Sequence, residues 1–167
     1  MENLRLTVNQ YSPDDPWLLG RHFKPFIAQG YTSGGAGYVL SRNAVDKFVT
    51  QAMKTPQVCK INDDTGNEDV EMGKCLYGVG VKIADSRDNE GRQRFFPRTV
   101  ESHLVESLSK EKLLILFIVF LIDLVSDPNY WVGAYDYHPL QRGPACCSDT
   151  AATFHYVTPY QMYTLEC

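Results

Sequence analysis

The chain contains 167 residues, which at ~150 residues per domain is enough for one domain with a buried core. Hydrophobic residues make up 44% and charged residues 22%, which excludes disordered, collagen-like and coiled-coil chains. The 16 Lys and Arg residues against 20 Asp and Glu give a net charge of −4 without a long basic block, so we predict no nucleic-acid partner.

The first half of the chain begins with loops. Residues 11–37 are rich in Gly, Pro and aromatic residues, and their prolines forbid a continuous helix, which predicts loops and short strands. A short strand is predicted at Tyr38–Leu40. Ser41 then stands at an N-cap position before apolar residues at helical spacing, which predicts a helix over 42–53 that Pro56 ends.

The middle of the chain alternates polar and apolar segments. Residues 60–69 form a polar loop, and the apolar residues after it indicate a short helix capped by Thr65 or Asn67. Residues 79–84 alternate like a strand, whereas residues 85–98 are charged and irregular.

The C-terminal part begins with the most apolar run of the chain, Leu113–Ile122, which is well short of the ~20 residues that cross a bilayer. Residues 130–137 are predicted as an aromatic loop and residues 154–157 as a short strand. Thr158 and Pro159 then fit the cap and first residue of a terminal helix. Because short strands alternate with helices, we predict an α/β fold. We find no secretion signal at the N-terminus.

Five cysteines include no pair with zinc-site spacing, and the adjacent Cys146 and Cys147 are poorly placed for tetrahedral coordination. Cys59 and Cys75 flank a polar loop, which suits a disulfide in an oxidising compartment. Two buried thiols are the alternative. The odd number leaves at least one cysteine unpaired.

Two segments could carry chemistry. Asp69 lies in the first turn of the predicted helix, where the helix dipole and free N–H groups favour an ionised carboxylate that could act as a general base. A solvated acidic loop is the commoner role of such a stretch. The run Gly34-Gly35-Ala36-Gly37 indicates a tight turn, although glycine also lets backbone approach a sugar or nucleotide closely.

His155 and Trp131 each have two interpretations. His155 lies between aromatic residues, where a hydrogen-bonded core histidine is commoner than a metal ligand, and the histidines show no paired metal-site spacing. Trp131 stands in an aromatic segment and is either a core residue, which is slightly favoured, or a residue that stacks against sugar rings.

Four segments occur together in an order that is specific: GYTSGGAGYVLSRNAVDKFV, NEDVEMGKCL, ADSRDNEGRQRFFP and GPACCSDTAATFHYVTPYQMYTLE. Their sequence resembles the core 1 β1,3-galactosyltransferase family, the glycoprotein-N-acetylgalactosamine 3-β-galactosyltransferases of the β3-glycosyltransferase superfamily. The resemblance runs from Met1 to Glu166 apart from about residues 105–129. The combination of GGAGYVLS, EDVEMG and CCSD with FHYV distinguishes this family from fringes and other β3-transferases.

The resemblance implies the C-terminal, acceptor-side part of a GT-A fold, with a mixed sheet flanked by helices. It implies inverting transfer of galactose from UDP-galactose to O-linked N-acetylgalactosamine (GalNAc) on glycoproteins, with a divalent metal for which manganese is expected. The implied location is the lumenal side of the Golgi membrane in a type II protein, with no anchor in this chain. A homodimer is a candidate assembly.

The resemblance also assigns roles to residues. Asp69 matches the catalytic base, and His155 matches the histidine that binds the metal. The predicted acceptor- and sugar-binding residues are Trp131, Gly34, Gly35, Gly37 and Glu68.

Three departures from the family qualify these roles. The family's Asp-x-Asp metal motif precedes the position of Met1, and no two aspartates in this chain are two positions apart, so the resemblance implies a truncated chain without its carboxylate metal ligands. Residues 105–129 form an atypical apolar insert in a partial catalytic domain over residues 1–167. Gly133 stands where relatives usually carry a second Trp. The alternative function is a catalytically inactive relative that acts as a chaperone-like or GalNAc-binding protein.

Overall fold

The computed structural model describes residues 2–99, 102–103, 130–139, 141 and 143–166. The predicted insert at 105–129 lies outside the described residues. The strands are β1 (Trp17–Gly20), β2 (His22–Phe23), β3 (Tyr31–Thr32), β4 (Tyr38–Leu40), β5 (Lys82–Ile83), β6 (Phe95–Phe96) and β7 (Thr153–Phe154). The helices are α1 (Glu2–Val8), α2 (Arg42–Thr50), α3 (Glu68–Gly78), α4 (Tyr130–Tyr135) and α5 (Pro159–Glu166), with 3-10 helices at Ala52–Lys54 and Gly143–Cys146. Within the described ranges, every helix is too short or too polar to cross a membrane.

A mixed sheet with strand order β4-β1-β5 lies at the centre of the fold. Strand β1 pairs antiparallel with β4, with Leu19 opposite Val39, and parallel with β5, with Leu18 opposite Ile83. Helices α2 and α3 bury Ala44 and Leu76 against Leu18 in one core cluster. The prediction of an α/β fold with a mixed sheet flanked by helices is therefore confirmed.

Two smaller sheets carry the loops that form the cavity described below. Strands β2 and β3 pair antiparallel, and β6 and β7 pair parallel. Helix α3 approaches β3 closely because Gly73 has no side chain: a Cβ there would lie 2.7 Å from Cβ of Tyr31. The glycine of the EDVEMG segment thus lets the start of α3 sit beside the loop that follows β3.

Capping residues define the ends of two helices as predicted. The Ser41 hydroxyl accepts a hydrogen bond from the Ala44 N–H at 3.1 Å, and the Thr158 hydroxyl accepts one from the Gln161 N–H at 3.3 Å. Helix α3 begins after Asn67, but the Asn67 side chain makes no capping hydrogen bond. Asn67 therefore occupies the N-cap position, one of the two predicted for α3, but its side chain does not bond the first turn of the helix.

Several predicted elements differ from the structure. The strand expected at 79–84 is only Lys82–Ile83, because α3 continues to Gly78 and Gly80 turns the chain with φ +76°. The strand expected at 154–157 is Thr153–Phe154, and it ends where Tyr156 adopts φ +57°. The aromatic segment predicted as a loop forms helix α4. Helix α1 was not predicted.

Two disulfides are present. Cys59 and Cys75 form the predicted bond, which ties the loop after α2 to helix α3 beside the buried Ala52. Cys146 and Cys147 form a bond between adjacent residues, which the sequence did not predict. Cys167 lies outside the described residues.

The buried His103 makes the stability of the fold depend on pH. Burial, followed by repulsion from Arg21 and Arg98, lowers the pKa of His103 from 6.5 to about 4. Its Nε2 has no hydrogen-bond partner among the described residues. Because the unfolded chain then binds more protons, the contribution of His103 to stability is complete above pH 6.5 and is lost as pH falls towards 4.

We expect the free energy of unfolding to fall by roughly 2 kcal/mol from this group between pH 7 and pH 5. Urea denaturation at both pH values measures it. His22 and His138, whose pKa values burial also lowers, act in the same direction. His103→Phe should therefore reduce the pH dependence without removing it, and an unchanged dependence would contradict this account of His103.

Candidate active site

A cavity of about 780 Å³ opens where helices α3 and α4 meet the glycine loop (residues 34–37) and the chain after β7. Its lining combines carboxylates, an imidazole and aromatic rings, a composition typical of sites that bind polar ligands with ring faces. The lining residues are Phe23, Tyr31, Ser33, Gly34, Gly35, Gly66, Asn67, Glu68, Asp69, Pro97, Trp131, Tyr135, His155 and Tyr156.

Asp69 is held by backbone hydrogen bonds on both carboxylate oxygens. Oδ2 accepts the Gly34 N–H at 3.0 Å, and Oδ1 accepts the Val70 N–H at 2.9 Å. Each carboxylate oxygen has a further lone pair, so the group can still accept a proton or hydrogen bond from a ligand in the cavity. Its position as the second residue of α3 agrees with the helix start predicted from the sequence.

Two tyrosines and Glu68 surround Asp69. The Tyr38 hydroxyl donates a 2.5 Å hydrogen bond to Oε1 of the exposed Glu68. Burial, and then the nearby Glu68 carboxylate, raises the pKa of Tyr38 above its ordinary value. Burial, followed by the charge of Asp69, also raises the pKa of Tyr31. Both tyrosines are therefore neutral hydrogen-bond donors at physiological pH.

The glycine loop lies directly against the polar side chains of the cavity. A Cβ on Gly34 would lie 3.0 Å from Oε2 of Glu68, and a Cβ on Gly35 would lie 2.5 Å from Nδ1 of His155. The Gly37 N–H donates to the Gly34 carbonyl at 2.9 Å, which closes the turn. Gly37 itself is outside the cavity lining and shapes the loop with φ +74°.

Gly35→Ala should destabilise the protein by about 1–3 kcal/mol, because the new methyl group displaces the His155 imidazole. Thermal unfolding of a double-mutant cycle with His155→Ala tests the cause. The cost of Gly35→Ala should be smaller in the His155→Ala background, where the clashing ring is absent. Equal costs in both backgrounds would show that another contact is responsible.

His155 follows β7 and is positioned by β6. Its backbone N–H donates a hydrogen bond to the Phe96 carbonyl at 3.0 Å, and its ring Nδ1 lies 3.3 Å from the Pro97 carbonyl oxygen. With the proton on Nδ1, Nε2 keeps its lone pair, which is the arrangement of many metal-binding histidines. The ring also stacks on Tyr156, with centroids 3.8 Å apart.

The described residues do not complete a metal site. No cluster of three or more His, Cys, Asp or Glu side chains able to hold an ion occurs among them. His155 can supply one ligand, but divalent metals such as manganese need several oxygen or nitrogen ligands.

Trp131 lies on α4 and lines the cavity with 40% of its surface exposed. Its ring meets Phe23 and Tyr135 edge to face, with centroids 5.8 Å and 5.9 Å away. The helix is fixed by Asp136, which forms a bidentate ion pair with Arg21 at 2.7 Å and 2.5 Å. Both side chains of this pair are 1% exposed.

Of the sequence-predicted site residues, six line one cavity and Gly37 does not. The six are Asp69, Glu68, Gly34, Gly35, Trp131 and His155. Sequence reasoning missed Tyr31, Tyr135 and Tyr156. Tyr31 lies within the GYTSGGAGYVLSRNAVDKFV segment and Tyr156 stands next to His155, so proximity to predicted residues is the signal that could have found these two.

Comparison with known proteins finds close similarity to one class of enzyme. The chain is 43% identical over 166 residues to a Xenopus laevis protein named glycoprotein-N-acetylgalactosamine 3-beta-galactosyltransferase 1, and the match covers 99% of the chain. It is 25% identical over 109 residues, or 63% of its length, to the beta-1,3-glucosyltransferases of Mus musculus and Homo sapiens. No protein-family model matches.

The matches cover 41% of the length of the Xenopus relative and 21% of the two glucosyltransferases, so the chain spans less than half of each. All three relatives transfer a sugar in β1,3 linkage by their names. Together with the α/β fold, these similarities show that the chain belongs to the β3-glycosyltransferase superfamily.

Proposed function

We propose that the chain forms the acceptor-side part of a galactosyltransferase catalytic domain of GT-A type. The reaction transfers galactose from UDP-galactose to O-linked GalNAc on glycoproteins, in β1,3 linkage and with inversion. The observation that carries the proposal is Asp69, whose carboxylate is fixed by two backbone N–H groups in a cavity that Trp131 also lines. The 43% identity to a named GalNAc galactosyltransferase supports the choice of sugars.

In this proposal Asp69 is the general base. Its carboxylate takes the proton of the acceptor GalNAc O3 hydroxyl while that oxygen attacks C1 of galactose. The bond from C1 to the diphosphate oxygen breaks as the new glycosidic bond forms, so UDP leaves from the opposite face and the anomeric configuration inverts. The Gly34 N–H keeps the carboxylate oriented during this single displacement.

The other residues that line the cavity have separate roles in this proposal. Trp131 is 40% exposed and can stack against the acceptor sugar, and the ring of Tyr135 packs against it at nearly a right angle. Because Gly34 and Gly35 have no side chains, their backbone lies directly against Glu68 and His155, and the transferred galactose would lie in the cavity that these residues and Asp69 line. Glu68, which Tyr38 holds, borders the same space.

The proposal includes a divalent metal, with manganese as the expected ion, which would neutralise the charge of the UDP diphosphate. His155 is its proposed ligand in this chain, and the other ligands would have to come from outside the described residues. The proposed setting is the lumenal side of the Golgi membrane in a type II protein. The Cys59–Cys75 disulfide supports an oxidising compartment, and the homodimer stays a prediction.

A second candidate is a catalytically inactive relative that binds GalNAc glycans or assists the folding of an active transferase. One observation favours this candidate. Among the described residues, His155 is not part of a cluster of metal ligands. Such a protein would retain the acceptor cavity and bind GalNAc without transferring galactose.

A transfer assay separates the two functions. The assay uses UDP-galactose, a peptide bearing GalNAc-α-Thr and manganese. It compares the chain alone with a chimera in which the chain replaces the matching 166 residues of the Xenopus relative. We expect galactose transfer by the chimera and none by the chain alone. A folded chimera that binds the glycopeptide but transfers no galactose would favour the inactive relative.

A further inference from the structure

Phe26 occupies an unusual turn beside the cavity. The Ile27 N–H donates a 2.9 Å hydrogen bond to the Pro25 carbonyl, and Phe26 between them has φ +69°. This is a γ-turn with a positive central φ, which is the rarer and more strained of the two forms. Among the described residues, the other non-glycine with positive φ is Tyr156, which lines the cavity.

The side chain of Phe26 gains little from the protein itself. Phe26 is 63% exposed, whereas the next residue, Ile27, is buried in a core cluster with Phe23 and Tyr31. Burial of Ile27 explains the direction of the turn, but glycine or asparagine would adopt the same φ with less strain. A bulky apolar ring held outward in strained backbone is a feature that points to a contact outside the chain.

The position of the ring identifies which part of the site it serves. Its centroid is 6.1 Å from that of Tyr31 and 6.0 Å from that of Tyr135, and both of these tyrosines line the cavity. Phe26 is itself outside the lining. It therefore adds a third ring next to Tyr31 and Tyr135, at the edge of the cavity.

The proposed function, on which this inference rests, assigns His155 to the UDP-galactose donor and Trp131 to the acceptor GalNAc. The ring of Phe26 lies 6.0 Å from that of Tyr135, which in turn lies 5.9 Å from that of Trp131. Phe26 is therefore close to the proposed acceptor sugar, where the polypeptide that carries this sugar would continue. We propose that Phe26 is a specificity-determining residue that contacts the polypeptide to which the acceptor GalNAc is attached.

The chemistry of the ring fits a peptide. A phenyl face packs against proline rings, aliphatic side chains and the flat peptide group, and it supplies no hydrogen bond for sugar hydroxyls. Asp69 and Trp131 would then recognise the sugar, and Phe26 would recognise the peptide. Glycopeptides should consequently bind more tightly than the same sugar on a methyl group.

Binding of two ligands to the 167-residue chain tests this inference. The ligands are GalNAc-α-methyl glycoside and a proline-flanked GalNAc-α-Thr peptide, with affinities from ligand-observed NMR titrations. Phe26→Gly, which suits the positive φ, should weaken glycopeptide binding about three- to tenfold and leave glycoside binding unchanged. Phe26→Tyr should keep both affinities. Val49→Ala, at a 51% exposed apolar residue on α2, is the control and should also keep both.

The melting temperature separates a binding role from a structural one. Because glycine removes backbone strain, Phe26→Gly should melt no lower than the parent chain. Three results for Phe26→Gly would overturn the inference: an equal loss of affinity for both ligands, no loss of affinity for either, or a lower melting temperature. In each case, glycoside binding by the parent chain would leave the proposed function standing. If the parent chain bound neither ligand, both the inference and the proposed acceptor site would be wrong.

Discussion

Asp69→Asn is expected to lower the rate of galactose transfer by about 10²- to 10⁴-fold while leaving the fold intact. The amide keeps the size of the carboxylate and can still accept one of the two backbone hydrogen bonds, from Gly34 or Val70. It cannot take up the proton of the acceptor hydroxyl. The measurement is kcat for transfer to a GalNAc-α-Thr peptide in the chimera with the Xenopus relative.

Glu71→Gln is the matched control for this change. Glu71 lies in the same first turn of α3, but its carboxylate pairs with Lys74 at 2.7 Å and is outside the cavity lining. We expect kcat to remain within about a factor of two in this variant, because loss of such an ion pair is worth little. Near-normal turnover by Asp69→Asn would remove Asp69 from the role of base.

Breaking the ion pair between Arg21 and Asp136 is expected to destabilise the protein by about 3–5 kcal/mol, because one charge is left buried without its partner. The two side chains are each 1% exposed and are joined by two hydrogen bonds. The total stability of domains is on the order of 5–15 kcal/mol, so Arg21→Met should leave a protein that is barely folded. Urea denaturation of each variant measures the loss.

A double variant tests the explanation. Arg21→Met with Asp136→Leu removes both charges, so it should recover a large part of the lost stability. Arg42→Met, which breaks the exposed pair of Arg42 with Asp14, is the control and should cost less than about 1 kcal/mol. If the double variant lost as much free energy of unfolding as Arg21→Met and Asp136→Leu lose in sum, an unpaired buried charge would not be the cause.

The ion pair also determines the shape of the candidate site. Asp136 directly follows helix α4, and the Lys24 N–H donates to the Tyr135 carbonyl at 2.8 Å, so β2 and its flanking residues hold the helix that carries Trp131. Loss of the pair should therefore weaken ligand binding at Trp131 before the protein unfolds globally.

Local signals predicted the parts of the fold that depend on neighbouring residues. Ser41 caps α2 and Thr158 caps α5 because a hydroxyl before a helix can bond the free N–H groups of its first turn. The apolar residues that follow the polar loop likewise place Asp69 in the first turn of α3, although that helix has no side-chain capping hydrogen bond. The Cys59–Cys75 disulfide joins residues only 16 positions apart, which is also a local feature.

Long-range features were not predictable in this way. Arg21 and Asp136 are 115 positions apart, and no pattern in either segment indicates the other. Residues 130–137 are predicted as an aromatic loop, yet they contain helix α4, which packing of Val132 against Phe23 stabilises. The cavity itself follows from these tertiary contacts. Its predicted residues were grouped through resemblance to a family, not through spacing along the chain.

The decisive measurement is a crystal structure of the chain or its chimera with GalNAc-α-methyl glycoside bound. The sugar should stack on Trp131 with its O3 hydroxyl within about 3 Å of a carboxylate oxygen of Asp69, as a general base requires. A sugar bound with O3 beyond hydrogen-bonding reach of Asp69, while another hydroxyl or another residue took that place, would contradict the assignment of Asp69 as the base.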